Sequence, residues 1–129
     1  AIYTWGDNGQ GQVGVPSEAK RVPIPTHCIG GKGSATGSNS GLQFQHIATL
    51  LFHTMAVTVM GDVYAWGDNR HGQLGLDDRV TRRHPTRLPW ITDVVQVATG
   101  AFHSMMLTAE GTLLAMGNHK HGQLGFGVV

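Results

Sequence analysis

The sequence contains little of what several broad protein classes require. A single cysteine, Cys28, among 129 residues cannot form an internal disulfide, which excludes a secreted scaffold held by disulfides. Charged residues make up 13% of the chain and the formal net charge is +1, which argues against polyanion binding driven by bulk charge. No apolar run reaches the roughly 20 residues of a membrane-spanning helix, and no secretory signal pattern is present. We therefore expect an intracellular protein, nuclear or cytoplasmic, with no membrane contact.

Motifs for catalysis and metal binding are also missing. The eight histidines stand apart from cysteines and carboxylates at ligand spacing, and no HExxH or CxxC is found. Cys28 follows His27 on an extended segment, where neighbouring side chains point to opposite sides and cannot form a nucleophile–base pair. The run "GDNGQGQVG" at 6–14 lacks the lysine and the serine or threonine of a P-loop. We expect no catalytic, cofactor-binding or metal-binding residue, and a protein that is not an enzyme.

Glycine, in contrast, is abundant, and most of the 19 glycines recur within a repeated segment. The copies read "IYTWGDNGQGQVG" at 2–14, "VYAWGDNRHGQLG" at 63–75 and "LLAMGNHKHGQLG" at 113–125. A second segment, at 45–67, aligns without a gap to 95–117. Repetition at such spacing is typical of solenoids and propellers. The structural signature residues are Trp5, Trp66, Gly67, Gly72, Gly75, Gly122 and Gly125.

The segments between the signatures have the length and composition of strands. Residues 94–99 are rich in β-branched side chains, residues 102–108 alternate in part, and residues 112–116 follow a turn. The turns "MGD" at 60–62 and "AEG" at 109–111 predict tight hairpins, because glycine accepts a positive φ. Prolines in the connectors predict irregular outer strands or surface loops. They are Pro23, Pro25, Pro85 and Pro89.

Four short strands in a unit of about 50 residues are typical of a propeller blade. The signature "VYAWGDNRHGQLG", the block "VATGAFHSMMLTAEG" and the proline-bearing connector together resemble the regulator of chromosome condensation (RCC1) repeat. The resemblance covers the whole chain except a Gly/Ser-rich insertion at about 30–41, which we expect to be mobile. It implies an all-β fold, a seven-bladed β-propeller of four-stranded antiparallel sheets.

About two and a half repeats cannot close such a ring, so we expect a partial propeller cut from a longer array. The repeats are predicted at 1–62, 63–112 and 113–129. Blade edges left open by an incomplete ring favour self-association. Because Met116 stands where the other copies have Trp5 and Trp66, these positions conserve bulk and apolarity across the copies, and both tryptophans are predicted to be core residues.

The resemblance also implies a protein-interaction function. The founding member of the family is a guanine-nucleotide exchange factor for the small GTPase Ran and binds chromatin, using the loop before the repeat histidine for some of its contacts. The matching positions here are Leu51, Phe52 and His53, then Ala101, Phe102 and His103. Phenylalanines stand where that loop carries acids, and Leu50 replaces Gly100, so the two turns should differ.

The candidate partner-binding residues are therefore Phe52, His53, Phe102 and His103, with a Ran-like small GTPase or chromatin as partner. A competing interpretation makes the histidines structural, hydrogen-bonded to backbone near the start of a strand. The alternative function is a scaffold domain of a larger multidomain protein, for example a ubiquitin ligase, with no exchange activity.

A basic segment supplies four further candidates: Arg79, Arg82, Arg83 and Arg87. Asp77 and Asp78 precede it, so one interpretation is a solvated loop partly neutralised by its own acids. The other is an electrostatic contact with phosphate or with an acidic partner surface.

Overall fold

The computed structural model describes residues 2–29 and 43–118, and the ordered elements within them are β-strands. The first sheet pairs β1 (Ile2–Asp7) with β2 (Arg21–Ile29). The second contains β3 (Phe44–Leu50), β4 (His53–Thr58), β5 (Val63–Gly67) and β6 (Arg82–Arg87), in that order. The third contains β7 (Val94–Thr99), β8 (His103–Thr108) and β9 (Leu113–Gly117). The predicted insertion at 30–41 and the signature residues Gly122 and Gly125 lie outside the described residues.

The predicted all-β fold is confirmed, and every neighbouring pair of strands is antiparallel. The second sheet is a complete four-stranded blade. The first sheet corresponds to the last two strands of such a blade, and the third sheet to the first three. Within the described residues the sheets do not close into a ring. The chain is therefore a partial propeller, in which the second and the third sheet each take strands from two successive sequence repeats.

The two glycine hairpins form as predicted. Gly61 and Gly111 both have a φ of 90°. The amide of Gly61 donates to the carbonyl of Thr58 over 3.0 Å, and the amide of Gly111 donates to the carbonyl of Thr108 over 2.9 Å. The equivalent hairpins β4–β5 and β8–β9 thus share one turn geometry.

The proline-bearing connectors form outer strands, as expected. β2 contains Pro23 and Pro25, and β6 contains Pro85. β6 lies at an edge of the second sheet and pairs only with β5 among the described strands. An edge position tolerates proline, because the missing amide hydrogen faces away from the partner strand.

The core lies at the junctions between successive sheets. The junction of the first and second sheets contains Val13, Val15, Val22, Cys28, Ala56, Tyr64 and Trp66. The junction of the second and third contains Met55, Val57, Val63, Ala65, Leu74, Leu88, Val94, Val97 and Met106. β4 is buried along its whole length because its side chains alternate between these two cores.

A repeated contact between a signature residue and the preceding signature loop joins the sheets. The indole Nε1 of Trp66 donates to the carbonyl of Gln12 over 2.8 Å. A Cβ added at Gly14 would lie 2.6 Å from that nitrogen, and one added at Gly75 would lie 2.5 Å from Sδ of Met116. Both glycines also have positive φ, +75° and +73°. In both described loops the last glycine thus makes room for the next repeat's signature side chain.

The prediction that Trp5 is a core residue is wrong. Its side chain is 60% exposed, whereas Trp66 at the matching position is fully buried. Trp66 is covered by the loop that follows β1 in the preceding sheet. The described residues hold no sheet in front of β1, so no loop covers Trp5. Burial at this position depends on a neighbouring repeat and not on the residue itself.

We expect the substitution Gly14→Ala to lower the free energy of unfolding by about 2–4 kcal/mol, because the new Cβ overlaps the Trp66 indole. Gly111→Ala is the matched control, since its φ is also positive but its Cβ would enter open space. Its loss should be about 1 kcal/mol, from backbone strain alone. Urea unfolding followed by tryptophan fluorescence measures both values. Equal losses would mean that Gly14 serves only the backbone.

Candidate functional site at the loop end

The signature loop and the turn before the repeat histidine lie at the same end of the second sheet. β4 begins at His53, opposite Gly67, the last residue of β5. The β3–β4 turn at 51–52 and the loop that follows β5 therefore lie side by side. The β7–β8 turn at 100–102 has the same place in the third sheet. We call this end the loop end, and the opposite end, with the glycine turns, the hairpin end.

Three rings from two sheets come together at the loop end. Phe52 and Phe102 stack with ring centroids 5.4 Å apart and planes 20° apart. His71 meets the edge of Phe102 at 5.1 Å and 64°. The two phenylalanines are half-buried and His71 is exposed. We call these three residues the aromatic cluster, an arrangement that aromatic quadrupoles favour.

His71 was not among the predicted contacts. It follows an arginine and precedes the "GQLG" loop, and nothing in that local pattern indicates its neighbour. Only the packing of the second sheet on the third brings His71 to Phe102. The two phenylalanines are candidate partner-binding residues from the sequence, because they occupy equivalent positions in two repeats. The structure shows that their rings are in contact.

The two equivalent turns differ, as the replacement of Gly100 by Leu50 predicted. Leu51 has a φ of 56°, and the amide of Phe52 donates to the carbonyl of Leu50 over 2.7 Å. In the other turn Ala101, at the position of Leu51, has no positive φ. Leu50 and Leu51 are exposed, 47% and 61%, and extend the apolar surface beside the aromatic cluster.

His53 lies inside the junction of the second and third sheets and not on the surface. It is fully buried, and its Nε2 lies 2.7 Å from Oγ of Ser104. The Ser104 hydroxyl donates to the carbonyl of Gln73 over 2.7 Å, so its oxygen accepts from Nε2 of His53. The ring is therefore held by a side chain of the next sheet, whereas the sequence left a partner contact and a backbone-bound role open.

Burial in this junction lowers the pKa of His53 from its ordinary 6.5 to about 4, against an opposing influence of the Asp68 charge. Water cannot solvate an imidazolium here, and the ring is neutral at pH 7. A neutral ring with its proton on Nε2 fits the hydrogen bond to Ser104. We infer a structural role for His53 from this placement.

His103, at the matching position of the third sheet, has different surroundings. Its ring folds over Gly100, where an added Cβ would lie 2.0 Å from Cε1. A ring in that pose could not accompany the leucine side chain of Leu50 at the matching position of the second sheet. His103 is partly exposed at the loop end, so of the two predicted histidines it is the one available to a partner.

The basic segment does not form one patch. Arg82 and Arg83 are adjacent on β6, so their side chains point to opposite faces. Arg82 pairs with Asp78 over 2.8 Å. Arg83 turns to the first sheet, where it donates to the carbonyls of Asn8 and Ser17 over 3.2 and 3.3 Å.

The remaining two arginines are separated as well. Arg87 lies at the hairpin end and pairs with Asp62 over 3.1 Å. Arg79 has no ion pair with any of the residues that the structure describes, and it lies in the exposed stretch before β6. The chain's own carboxylates thus engage Arg82, Arg87 and also Arg83, which lies 3.6 Å from Glu18. Among the described residues, Arg79 is the arginine of this segment without such a pair.

Neither a metal site nor a membrane span is found in the described ranges. Within residues 2–29 and 43–118, no group of three or more His, Cys, Asp and Glu side chains could hold a metal ion. No helix long and apolar enough to cross a bilayer occurs there.

Family models of known protein repeats match most of this chain, in agreement with its fold. A family model described as the regulator of chromosome condensation (RCC1) repeat matches residues 1–57 and 60–107, and a second model of that description matches 94–123. The chain belongs to the RCC1 repeat family. The RCC1 repeats of this chain therefore form a propeller segment of a kind that serves protein interaction.

Two curated relatives share sequence with the chain. The ultraviolet-B receptor UVR8 of Arabidopsis thaliana is 35% identical over 88 residues, which is 67% of this chain and 18% of the receptor. The probable E3 ubiquitin-protein ligase HERC4 of Homo sapiens is 32% identical over 87 residues, 67% of this chain and 8% of the ligase. The chain thus spans less than a fifth of either relative.

A solved structure shows the same fold. Prp20p from Saccharomyces cerevisiae superposes with a TM-score of 0.80 and 22% sequence identity. The superposition covers 97% of this chain and 31% of Prp20p. At this identity the likeness establishes the arrangement of blades alone.

We expect the chain to lose stability on acidification from pH 6.5 to pH 4, and His53 to cause part of the loss. The unfolded chain binds a proton at His53 below its ordinary pKa of 6.5, whereas the folded chain does so only near 4. At about 1.4 kcal/mol per unit, this difference removes up to about 3 kcal/mol. In His53→Gln, whose amide can still donate to Ser104, the free energy of unfolding should fall less over this range. Parallel pH profiles of the two proteins would assign the acid sensitivity to other groups.

Proposed function

We propose that this chain is the interaction module of a regulator of a Ran-like small GTPase, of the guanine-nucleotide exchange type, with chromatin association. The aromatic cluster at the loop end is the contact surface. In this proposal the protein acts by binding, without chemical catalysis and without a cofactor, in the nucleus or the cytoplasm. The observation that carries the proposal is that equivalent turns of adjoining sheets place Phe52 and Phe102 in one half-exposed stack.

The cluster has the properties of a protein-binding surface. Half-buried aromatic rings offer a large contact area and lose little conformational entropy on binding, which is why aromatic residues are enriched at interfaces. Phe52 and Phe102 directly precede β4 and β8, so the strands fix the positions of the rings. His71 and His103 add polar groups at the same end.

The comparison with Prp20p supports the class of partner. Prp20p binds Gsp1p and histones. This chain has the fold of about a third of Prp20p. The aromatic cluster suits a folded partner such as a small GTPase. Arg79, which has no ion pair among the described residues, suits a phosphate or an acidic surface of chromatin.

The second candidate function is a scaffold domain of a larger multidomain protein with no exchange activity. The observation that favours it is the apolar character of the turns, which hold Phe52 and Phe102 where the exchange factor carries acids. HERC4, a probable ubiquitin ligase, is a relative of which the chain matches 8%. A scaffold would use the same loop end for a partner other than a GTPase.

Nucleotide-free Ran is the probe that separates these functions. We expect the chain to bind nucleotide-free Ran more tightly than Ran–GDP, and Phe52→Ala/Phe102→Ala to weaken that binding by about tenfold or more, because truncating interface anchors costs over 1 kcal/mol. Titration calorimetry measures both affinities. Met60→Ala is the matched control, since Met60 is 78% exposed but lies at the hairpin end. Equal affinity for both forms of Ran would favour the scaffold function.

The proposed chromatin contact is tested separately, by measuring binding to nucleosomes. With nucleosomes as the probe, Arg79→Glu should weaken binding and reduce its dependence on salt concentration. Arg87→Glu, at the hairpin end, should leave it unchanged. Identical binding by the Arg79 variant and the wild-type chain would remove Arg79 from the proposal.

We also propose that the isolated chain self-associates through its first sheet. Tyr3 and Trp5 are 58% and 60% exposed, and one edge of β1 has no partner strand among the described residues. Light scattering should therefore give a mass above that of one chain, and Trp5→Ser should lower it. Met60→Ser is the control with equal loss of exposed apolar surface. A wild-type monomer at high concentration would disprove this part of the proposal.

A further inference from the structure

Leu51 combines an exposed side chain with an unfavourable backbone conformation. Its φ is 56°, in the left-handed region, and its side chain is 61% exposed. Residues with a Cβ adopt this region at an energetic penalty, whereas glycine and asparagine adopt it readily. A leucine is therefore an unfavourable choice at this position for stability.

The fold uses the backbone of Leu51 but not its side chain. Nε2 of Gln12 donates to the carbonyl of Leu51 over 3.0 Å, across the junction of the first and second sheets. Glycine would supply the same carbonyl without strain. At the matching place in the other turn Ala101 has no positive φ. The left-handed turn thus satisfies Gln12, and the leucine side chain remains unexplained.

The exposed side chain of Leu51 lies at the surface of the loop end. Leu51 is one wall of an open cleft of about 370 Å³ that also contains Trp5 and Ile47. On its other side it adjoins Phe52 of the aromatic cluster. The turn is short and closed by the pairing of Leu50 with His53, so the side chain is presented at a fixed place. Strained residues that the fold does not require are concentrated at functional sites.

We propose that Leu51 is the anchoring residue of the loop-end contact and inserts its side chain into an apolar pocket of the partner. This inference rests on the proposed function, because it assigns one residue of the same surface to a Ran-like small GTPase. The pocket must accept one aliphatic side chain and carry no charge, since Leu50, Leu51 and Phe52 form an uncharged stretch. The strained turn keeps the anchor extended before the partner arrives, which reduces the entropy lost on binding.

Three substitutions of Leu51 test the anchor. Leu51→Gly and Leu51→Asn relieve the strain and remove the apolar side chain, so we expect each to raise Tm by about 2–4 °C. Each should weaken binding of nucleotide-free Ran by about tenfold or more. Leu51→Met retains an apolar side chain and the strain, and should change neither Tm nor affinity appreciably. The combination of higher stability with weaker binding is not expected of a residue that serves the fold.

Asp93→Gly is the matched control. Asp93 also has a left-handed φ, 72°, but it lies at the hairpin end, so its substitution should not alter Ran binding. If Leu51→Gly binds as the wild type does while Phe52→Ala/Phe102→Ala binds weakly, the anchor is disproved and the proposed function stands. A fall in Tm for Leu51→Gly would also overturn the inference, because it would assign the side chain to the fold. If the wild-type chain does not bind nucleotide-free Ran, the proposed function and the inference both fail.

Discussion

The carbonyl of Gln12 is the acceptor on which the junction between the first two sheets depends. It receives hydrogen bonds from Nε1 of Trp66 over 2.8 Å and from Oγ1 of Thr54 over 3.0 Å. At the next junction the carbonyl of Gln73 receives the hydroxyl of Ser104. Buried carbonyls require partners, so each of these two signature loops needs the following sheet to complete it. The sheets are therefore not independent folding units, because each depends on the contact between a loop carbonyl and a side chain of the next sheet.

This dependence also positions the loop end. Phe52 belongs to the second sheet and Phe102 to the third, and their stack exists only because the two sheets meet at a fixed distance. The buried chain from His53 through Ser104 to the Gln73 carbonyl lies in that same junction. A polar chain satisfied at both links fixes the relative position of two sheets more narrowly than apolar packing does. The geometry of the surface is thus a consequence of the interior.

The sequence predicted the strands and hairpins because local patterns determine them, and it predicted the family because three copies share one internal order. It failed where a property depends on a neighbour. Trp5 matches Trp66 in sequence but is exposed, since burial comes from the preceding loop. Arg82 and Arg87 are close in sequence, yet the five residue steps of strand between them span about 16 Å and place them at opposite ends. His71 contacts Phe102 only because the second sheet packs on the third. The unusual turn at Leu51, in contrast, has a signal in the sequence, because Leu50 and Leu51 stand where the other turn has Gly100 and Ala101.

Repetition offers a physical way to separate residues that serve the fold from residues that serve binding. A position required by the blade should carry the same kind of residue in each copy, as Gly14 and Gly75 do. A paired departure can also be explained by the fold. Leu50 accompanies a buried His53 and Gly100 a folded-over His103, because a Cβ at Gly100 would overlap the His103 ring. Leu51 departs from Ala101 with a strained backbone and an exposed side chain, and that side chain belongs to neither buried core. The hydrogen bond from Gln12 to the Leu51 carbonyl accounts for the strained backbone but not for the choice of leucine. We therefore propose that an interaction outside the chain explains this side chain, and that the loop end is where it takes place.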